Sequence, residues 1–293
     1  MSATVEAREE VTAAKKSPVA ELPWALWLRQ ALAILRLELR KNFMGRRALL
    51  LYLLAGLPLV LLALLAMFPP PASDLNSFHL LSVVYAAIYQ GLILRTLLFF
   101  GCAWVFMNLF RGEVVDRSLH YYFLTPARRE VLVVGKYLSG LVATSTLFSI
   151  STVGSMILLY FWRFSSQSAQ YFFSGPGLRQ MLTYLAITVL ACVGYGALFL
   201  LIGLFFRNPV IPALVLYGWE WINFLLPPLL KKVSVIHYLH SLMPVPMNEG
   251  PFAVMAEPTP AWLSVPSLLL FTIIVLALAG RHARRMEISY VGD

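Results

Sequence analysis

Long apolar stretches alternate with short charged ones along this chain, and six of the apolar stretches are long enough to be transmembrane helices. A helix needs ~20 apolar residues to cross a bilayer. The predicted spans lie at 48–68, 84–110, 134–161, 180–206, 209–230 and 262–281. The pattern therefore predicts an all-α polytopic membrane protein, with its transmembrane domain over 46–285.

The segment 23–45, before the first span, has the pattern of an amphipathic helix. Apolar residues recur there with helical spacing, at Trp24, Trp27, Leu28, Ala31, Leu32, Leu35, Leu39 and Phe43. Arg36 and Arg40 lie on other faces of this helix. Tryptophans combined with basic residues are typical of a helix in the headgroup layer. We expect an interfacial helix, and the alternative is an extension of the first span.

Composition supports a membrane protein. The chain is 59% hydrophobic and 13% charged, whereas a soluble domain has about 25% charged residues. Its mean hydropathy is +0.75. The polar residues 1–22 show no signal-peptide pattern and are expected to form a disordered tail, and 286–293 a second tail.

The basic residues predict an orientation. Of the 23 lysine and arginine residues, 18 lie on one side of the six predicted spans, four lie on the other, and Arg95 is inside the membrane. Positively charged flanks stay in the cytoplasm, so both termini are expected to be cytoplasmic, in the cell inner membrane. This asymmetry accounts for the net charge of +9, and we expect no nucleic-acid partner.

The cysteines and histidines predict no metal site. Cys102 and Cys192 fall within spans and predict no disulfide framework. His237 and His240 are three residues apart and could share a helix face. Without a further cysteine or carboxylate, this pair does not form a metal-binding pattern.

Charge is concentrated in the connector between the second and third spans. Glu113 and Asp116 suit the first turn of a cytoplasmic helix over 113–124, because acidic side chains favour the positive end of the helix dipole. Thr125-Pro126 ends that helix, and Arg128 and Arg129 lead into the third span. The connector is therefore predicted to be a helix and a rigid turn.

This connector resembles that of the type-2 ABC exporter permease family. The residues that carry the resemblance are, in order, Gly112-Glu113, Leu124-Thr125-Pro126, Arg128-Arg129 and Gly135-Lys136. The six-span layout, the preceding amphipathic helix and a long final external loop are also similar. The resemblance thus covers nearly the whole chain.

The resemblance implies a mechanism and partners. Two six-span subunits, identical or related, would pair, and each would contact a cytoplasmic ATP-binding subunit. The connector would be the coupling helix and the interfacial helix would brace it. The loop 231–261 would form a re-entrant hairpin before the last span. The residues implied in coupling are Glu113, Asp116, Arg117, Leu124, Thr125, Pro126, Arg128 and Arg129.

The chain has no phosphate-binding loop of its own. Gly135-Lys136 is followed by Tyr137, and position 130 is Glu where the pattern G-x-x-x-x-G-K-[ST] requires Gly. We therefore expect no cofactor on this chain, no enzymatic activity of its own, and ATP with magnesium on a partner.

Arg95 and Glu220 are the two ionisable residues predicted to lie well inside spans. Such groups are costly in a membrane and usually face a partner or a wet cavity. Two hypotheses remain open: the residues form a structural ion pair, or both line the transport pathway.

Two other classes of function compete with the exporter. An ATP-independent carrier or channel would be favoured by inverted repeats with broken helices, and the sequence shows no convincing ones. A membrane-embedded enzyme would need a cluster of catalytic residues within spans, and Arg95 and Glu220 are single charges.

Overall fold

The computed structural model describes residues 24–45, 48–68, 78–115, 128–161, 165–245 and 259–285, and these ranges contain helices and turns but no strand. The all-helical prediction is confirmed for this part of the chain. The elements are α1 (Trp24–Met44), α2 (Ala48–Met67), α3 (Phe78–Ile88), a π-helical segment (Tyr89–Leu98), α4 (Phe99–Val115), α5 (Arg129–Phe161), α6 (Ser165–Ser174), α7 (Gly177–Phe205), α8 (Val210–Ile222), a 3₁₀ turn (Asn223–Leu225), α9 (Pro228–Lys231), α10 (Val235–Ser241) and α11 (Ala261–Arg285).

Five helices in the described ranges are long and apolar enough to cross a membrane. They are α2, the continuous helix Phe78–Gly112, α5, α7 and α11. The protein is therefore a multi-pass membrane protein. The second of these helices starts earlier than predicted, and α5 begins at Arg129, five residues before the predicted start of the third span.

The predicted fifth span, 209–230, is not one continuous helix. Helix α8 has 13 residues, which is about 20 Å of helix against ~30 Å of hydrocarbon. A 3₁₀ turn follows it, and Pro227 precedes the four-residue α9. The paired prolines Pro227 and Pro228 lack the backbone N–H that continues a helix. A sixth span stays a prediction.

Helix α7 packs against α4, α5 and α11. Small residues allow these helices to approach closely. A Cβ added to Gly203 of α7 would lie 2.8 Å from the Cα of Met107 in α4, and one on Gly196 would lie 2.5 Å from the Phe106 ring. Glycine is therefore required at this crossing.

The second long helix contains a π-helical segment that the sequence pattern did not predict. It runs from Tyr89 to Leu98 and includes Arg95. Within it, the Thr96 hydroxyl donates to the carbonyl of Gly91 at 3.5 Å, five residues earlier. A π turn rotates the side chains that follow it relative to an α-helix and often marks a functional position.

Helix α1 confirms that the predicted amphipathic segment is helical. Arg36 and Arg40 are exposed, as predicted for its polar faces. Leu28 and Leu32 are also exposed, at 64% and 52%. The helix ends at Met44 and α2 begins at Ala48. Its placement in the headgroup layer stays a prediction.

Several predictions fall outside the described residues. They concern the tails 1–22 and 286–293 and, within the connector, Asp116, Arg117, Leu124, Thr125 and Pro126. The prediction that Glu113 lies in the first turn of a separate helix is wrong, because Glu113 lies in the last turn of α4, which continues to Val115 beyond the predicted end of the second span.

Candidate functional site

The described end of the charged connector lies where three helices meet. We call this cluster the junction and define it by the side chains of α1, α5 and α11 that contact one another there, together with the residue that enters α5. Its members are Trp27, Glu38, Arg128, Arg129, Glu130, Lys136 and Arg284.

A buried ion pair joins α1 to α5. The Nζ of Lys136 donates to Oε1 of Glu38 at 2.9 Å and to the carbonyl oxygen of Leu109 at 2.9 Å. The side chain of Lys136 is 0% exposed and that of Glu38 is 4% exposed. Lys41 approaches the same carboxylate oxygen at 3.4 Å from the exposed side. A pair buried to this degree is stable only when such additional partners satisfy its atoms.

The residue before Lys136 explains how α1 comes so close. A Cβ on Gly135 would lie 3.0 Å from Cγ2 of Ile34 and 3.2 Å from the carbonyl oxygen of Ala31. Glycine therefore allows the backbones of α1 and α5 to approach, and the adjacent lysine closes the contact with charge. The Gly135-Lys136 motif thus serves helix packing in this structure.

Two arginines hold the start of α5. The guanidinium carbon of Arg128 lies 4.4 Å from the centroid of the Trp27 ring, which is cation–π geometry. Nη1 of Arg129 donates to the carbonyls of Ala283 (3.2 Å) and Arg284 (3.0 Å) in the last turn of α11. A cation is favoured there because the last carbonyls of a helix carry partial negative charge.

An ion pair between Glu130 of α5 and Arg284 of α11 adds to this contact. Both side chains are partly exposed, at 35% and 62%, so solvent screens the attraction and the pair contributes little stability by itself. The pair helps to position the start of α5 against the end of α11, the same two helix ends that Arg129 joins.

The junction therefore connects the connector to two helices at once. The start of α5 contacts α1 through Trp27 and Glu38, and contacts α11 through its last carbonyls. In the described residues, no group of three or more His, Cys, Asp or Glu could hold a metal ion.

Glu220 forms a second polar site, between α8 and α10. Its carboxylate accepts hydrogen bonds from the Ser234 hydroxyl (2.5 Å) and the backbone N–H groups of Val235 (3.2 Å) and Ile236 (3.1 Å). Glu220 is 4% exposed. The carboxylate thus binds the first turn of a short helix, where free N–H groups and the helix dipole favour an anion.

Arg95 lies in the same region on the π-helical segment. Its guanidinium carbon is 5.9 Å from the centroid of the Trp221 ring, the residue after Glu220. Tyr195 of α7 is close enough to interact electrostatically with both Arg95 and Glu220. The structure therefore brings Arg95 and Glu220 into one neighbourhood. Whether they pair directly stays a prediction.

His237 of the histidine pair contacts a residue before α11. Nε2 of His237 lies 3.1 Å from the Thr259 hydroxyl, which ties α10 to the residues before α11. Ser241 reinforces this tie, because its hydroxyl accepts a hydrogen bond from the Thr259 N–H at 3.2 Å. His237 and Ser241 thus tie α10 to the residue Thr259, two positions before α11.

A further buried polar cluster is a tyrosine and threonine network between the π-helical segment, α5 and α7. Tyr89 donates to the Tyr184 carbonyl at 3.0 Å and lies 2.8 Å from the Thr188 hydroxyl. Thr188 in turn lies 3.2 Å from Thr152. Tyr89, Thr152 and Thr188 are fully buried, so the network holds helices together and has no access to solvent.

Sequence reasoning missed the most buried contact of the junction. The sequence pattern did not predict a contact for Glu38, although it is the only acidic residue in α1 and lies seven residues after Ala31 on the same helix face. Lys136 was quoted only as part of a motif. A single acid on the protein-facing side of a basic helix, and a single lysine within a span, are signals that could have found the pair.

Comparison with models of known protein families gives no match, and no curated protein is significantly similar in sequence.

Proposed function

We propose that this protein is the transmembrane permease subunit of an ATP-driven exporter, and that the connector 113–129 transmits movement from a separate ATP-binding subunit. The observation that supports it best is the junction. A polar connector between two spans ends in a rigid set of contacts to an amphipathic helix and to the last span, as a coupling element requires.

The physical reason is that ATP binding elsewhere can move spans only through a stiff connection with different contacts in two states. A solvated loop would transmit nothing. Here Lys136 and Glu38 are almost fully buried and Arg129 bridges to α11. Movement of the start of α5 would therefore carry α1 and α11 with it.

The finer topology belongs to the same proposal. It includes six spans in the inner membrane, both termini in the cytoplasm, an interfacial α1 and a second permease subunit. A re-entrant hairpin in the loop 231–261, before the last span, is supported by two contacts of the segment 235–245. Val235 packs against Gly194, near the middle of α7, so closely that a Cβ added to this glycine would lie 3.2 Å from Cγ1 of Val235. The side-chain amide of Gln90 donates to the Val245 carbonyl at 3.2 Å.

The direct test is co-purification in mild detergent after co-expression with the proteins encoded by the adjacent genes. We expect a stable complex whose ATP hydrolysis depends on this subunit. Failure of any ATP-binding protein to co-purify, with hydrolysis independent of this chain, would favour the ATP-independent carrier or channel.

A narrower test reverses two charges of the connector, Glu113→Lys and Arg117→Glu. We expect normal membrane insertion, loss of the complex and loss of stimulated ATP hydrolysis. Lys232→Glu is the matched control, because Lys232 is exposed on the predicted opposite side. Unchanged hydrolysis in both connector variants would disprove the coupling role.

A further inference from the structure

An apolar crevice opens between α1 and the first turns of α5. Its volume is about 280 Å³, and it is lined by Trp24, Trp27, Ala31, Val131 and Val134, with Arg128 and Glu130 at one end. Trp24 is 66% exposed and Val134 is 43% exposed, so the crevice is accessible from outside the protein. An apolar hollow of this kind in a membrane protein suits a hydrocarbon chain.

A second hollow of about 300 Å³ is lined by Arg128, Arg129, Glu130 and Arg284. Arg128 and Glu130 line both hollows, so they are adjacent. Three arginines against one glutamate leave two net positive charges. Glu130 is already paired with Arg284, and Arg128 is exposed.

The two hollows lie at the transition from charged to apolar sequence. Between Glu130 and Phe161, the helix α5 has one charged residue, Lys136, and this lysine is paired inside the protein. Two tryptophans mark the same level on α1, and tryptophan is enriched at the membrane–water interface. A lipid headgroup and the start of its acyl chain occupy this level in a bilayer.

We propose that the junction binds an anionic phospholipid, with its phosphate against the three arginines and an acyl chain in the apolar crevice. Arginine recognises phosphate oxygens through charge-assisted hydrogen bonds, and basic pockets between helices at a membrane surface select anionic headgroups. The apolar crevice beside the cations distinguishes a lipid from free phosphate. This inference requires only that the chain is a membrane protein and is independent of the transport proposal.

The bound lipid would join α1 to α5, because Arg128 belongs to the start of α5 and Trp27 to α1. It would add a third link between these helices, beside the Arg128–Trp27 contact and the Lys136–Glu38 pair. Binding would therefore stabilise the contact between α1 and α5 against heat.

The experiment is a titration of the full-length protein in detergent with phosphatidylglycerol or phosphatidylcholine, followed by native mass spectrometry. For the wild type, we expect phosphatidylglycerol to bind roughly tenfold more tightly, because its headgroup has no choline cation to offset the phosphate charge that the arginines attract. Arg128→Gln should remove this preference. Arg285→Gln is the matched control. Arg285 is exposed at the end of α11, next to Arg284, but it does not line the hollow, so this variant should keep the preference for phosphatidylglycerol.

A second pair of variants tests the acyl chain. Val134→Trp fills the crevice from an exposed position and should weaken binding of both lipids, whereas Val142→Trp, at a residue 40% exposed on the same helix, should not. Circular dichroism during heating shows whether each variant remains folded.

Three results would overturn the proposal. They are equal affinity of the wild type for both lipids, equal loss of the preference in Arg128→Gln and Arg285→Gln, and displacement of phosphatidylglycerol by millimolar inorganic phosphate, which would identify a simple anion site. Equal affinity would be the result if the crevice instead receives a segment of a partner protein.

Discussion

The buried pair Lys136–Glu38 makes the sharpest prediction about stability. Lys136→Met removes the charge and both hydrogen bonds of Nζ while it keeps most of the side-chain volume. Glu38 would then remain 4% exposed with its carboxylate facing the protein interior. Breaking a buried ion pair from one side typically costs ~3–5 kcal/mol. Since Lys41 lies 3.4 Å from the same oxygen, we expect the lower end, about 3 kcal/mol.

The measurement is the free energy of unfolding in mixed micelles, titrated with a denaturing detergent. Lys41→Met is the matched control. Its side chain is 52% exposed, so we expect a loss of at most about 1 kcal/mol.

A double-mutant cycle separates the pair from its surroundings. The double variant Glu38→Leu with Lys136→Met leaves no unpaired charge in the contact. We expect it to be more stable than the sum of the two single losses predicts, with a coupling energy of about 2 kcal/mol. Strictly additive losses, or equal losses in Lys136→Met and Lys41→Met, would refute the interpretation of a coupled buried pair.

Three further variants test other contacts. Gly203→Ala should destabilise the protein strongly, because its Cβ would meet the backbone of Met107 at 2.8 Å, whereas Gly218→Ala, with nothing within 4 Å, should be tolerated in the same unfolding assay. Glu220→Gln should speed hydrogen exchange in α10, because a neutral amide accepts more weakly than the carboxylate; unchanged exchange would contradict this account. Tyr89→Phe should lower the melting temperature by removing a buried hydroxyl with two partners, and an unchanged temperature would show that these bonds contribute nothing net.

Much of the helical framework could be predicted from local sequence. Helices α2, α5, α7 and α11 lie where long charge-free stretches lie, because a segment in a bilayer must satisfy its backbone hydrogen bonds internally. The amphipathic spacing before them predicted α1 in the same way. Prolines and charged residues marked the approximate ends of these helices.

The failures have identifiable causes. The number of apolar residues in 209–230 predicts one continuous span. In the structure α8 ends at Ile222, and Pro227 and Pro228 interrupt the segment further along. The π-helical segment carries no apolar periodicity of its own that separates it from an α-helix.

What the sequence by itself determined was which segments are helical and apolar, because these are properties of consecutive residues. Only the tertiary structure decided which faces meet. The Lys136–Glu38 pair joins residues 98 positions apart, and Glu220 meets the first turn of α10 because the chain folds back after Pro227. Such contacts depend on how helices cross, and a close approach at Gly135 or Gly203 is a property of two backbones that no single segment contains.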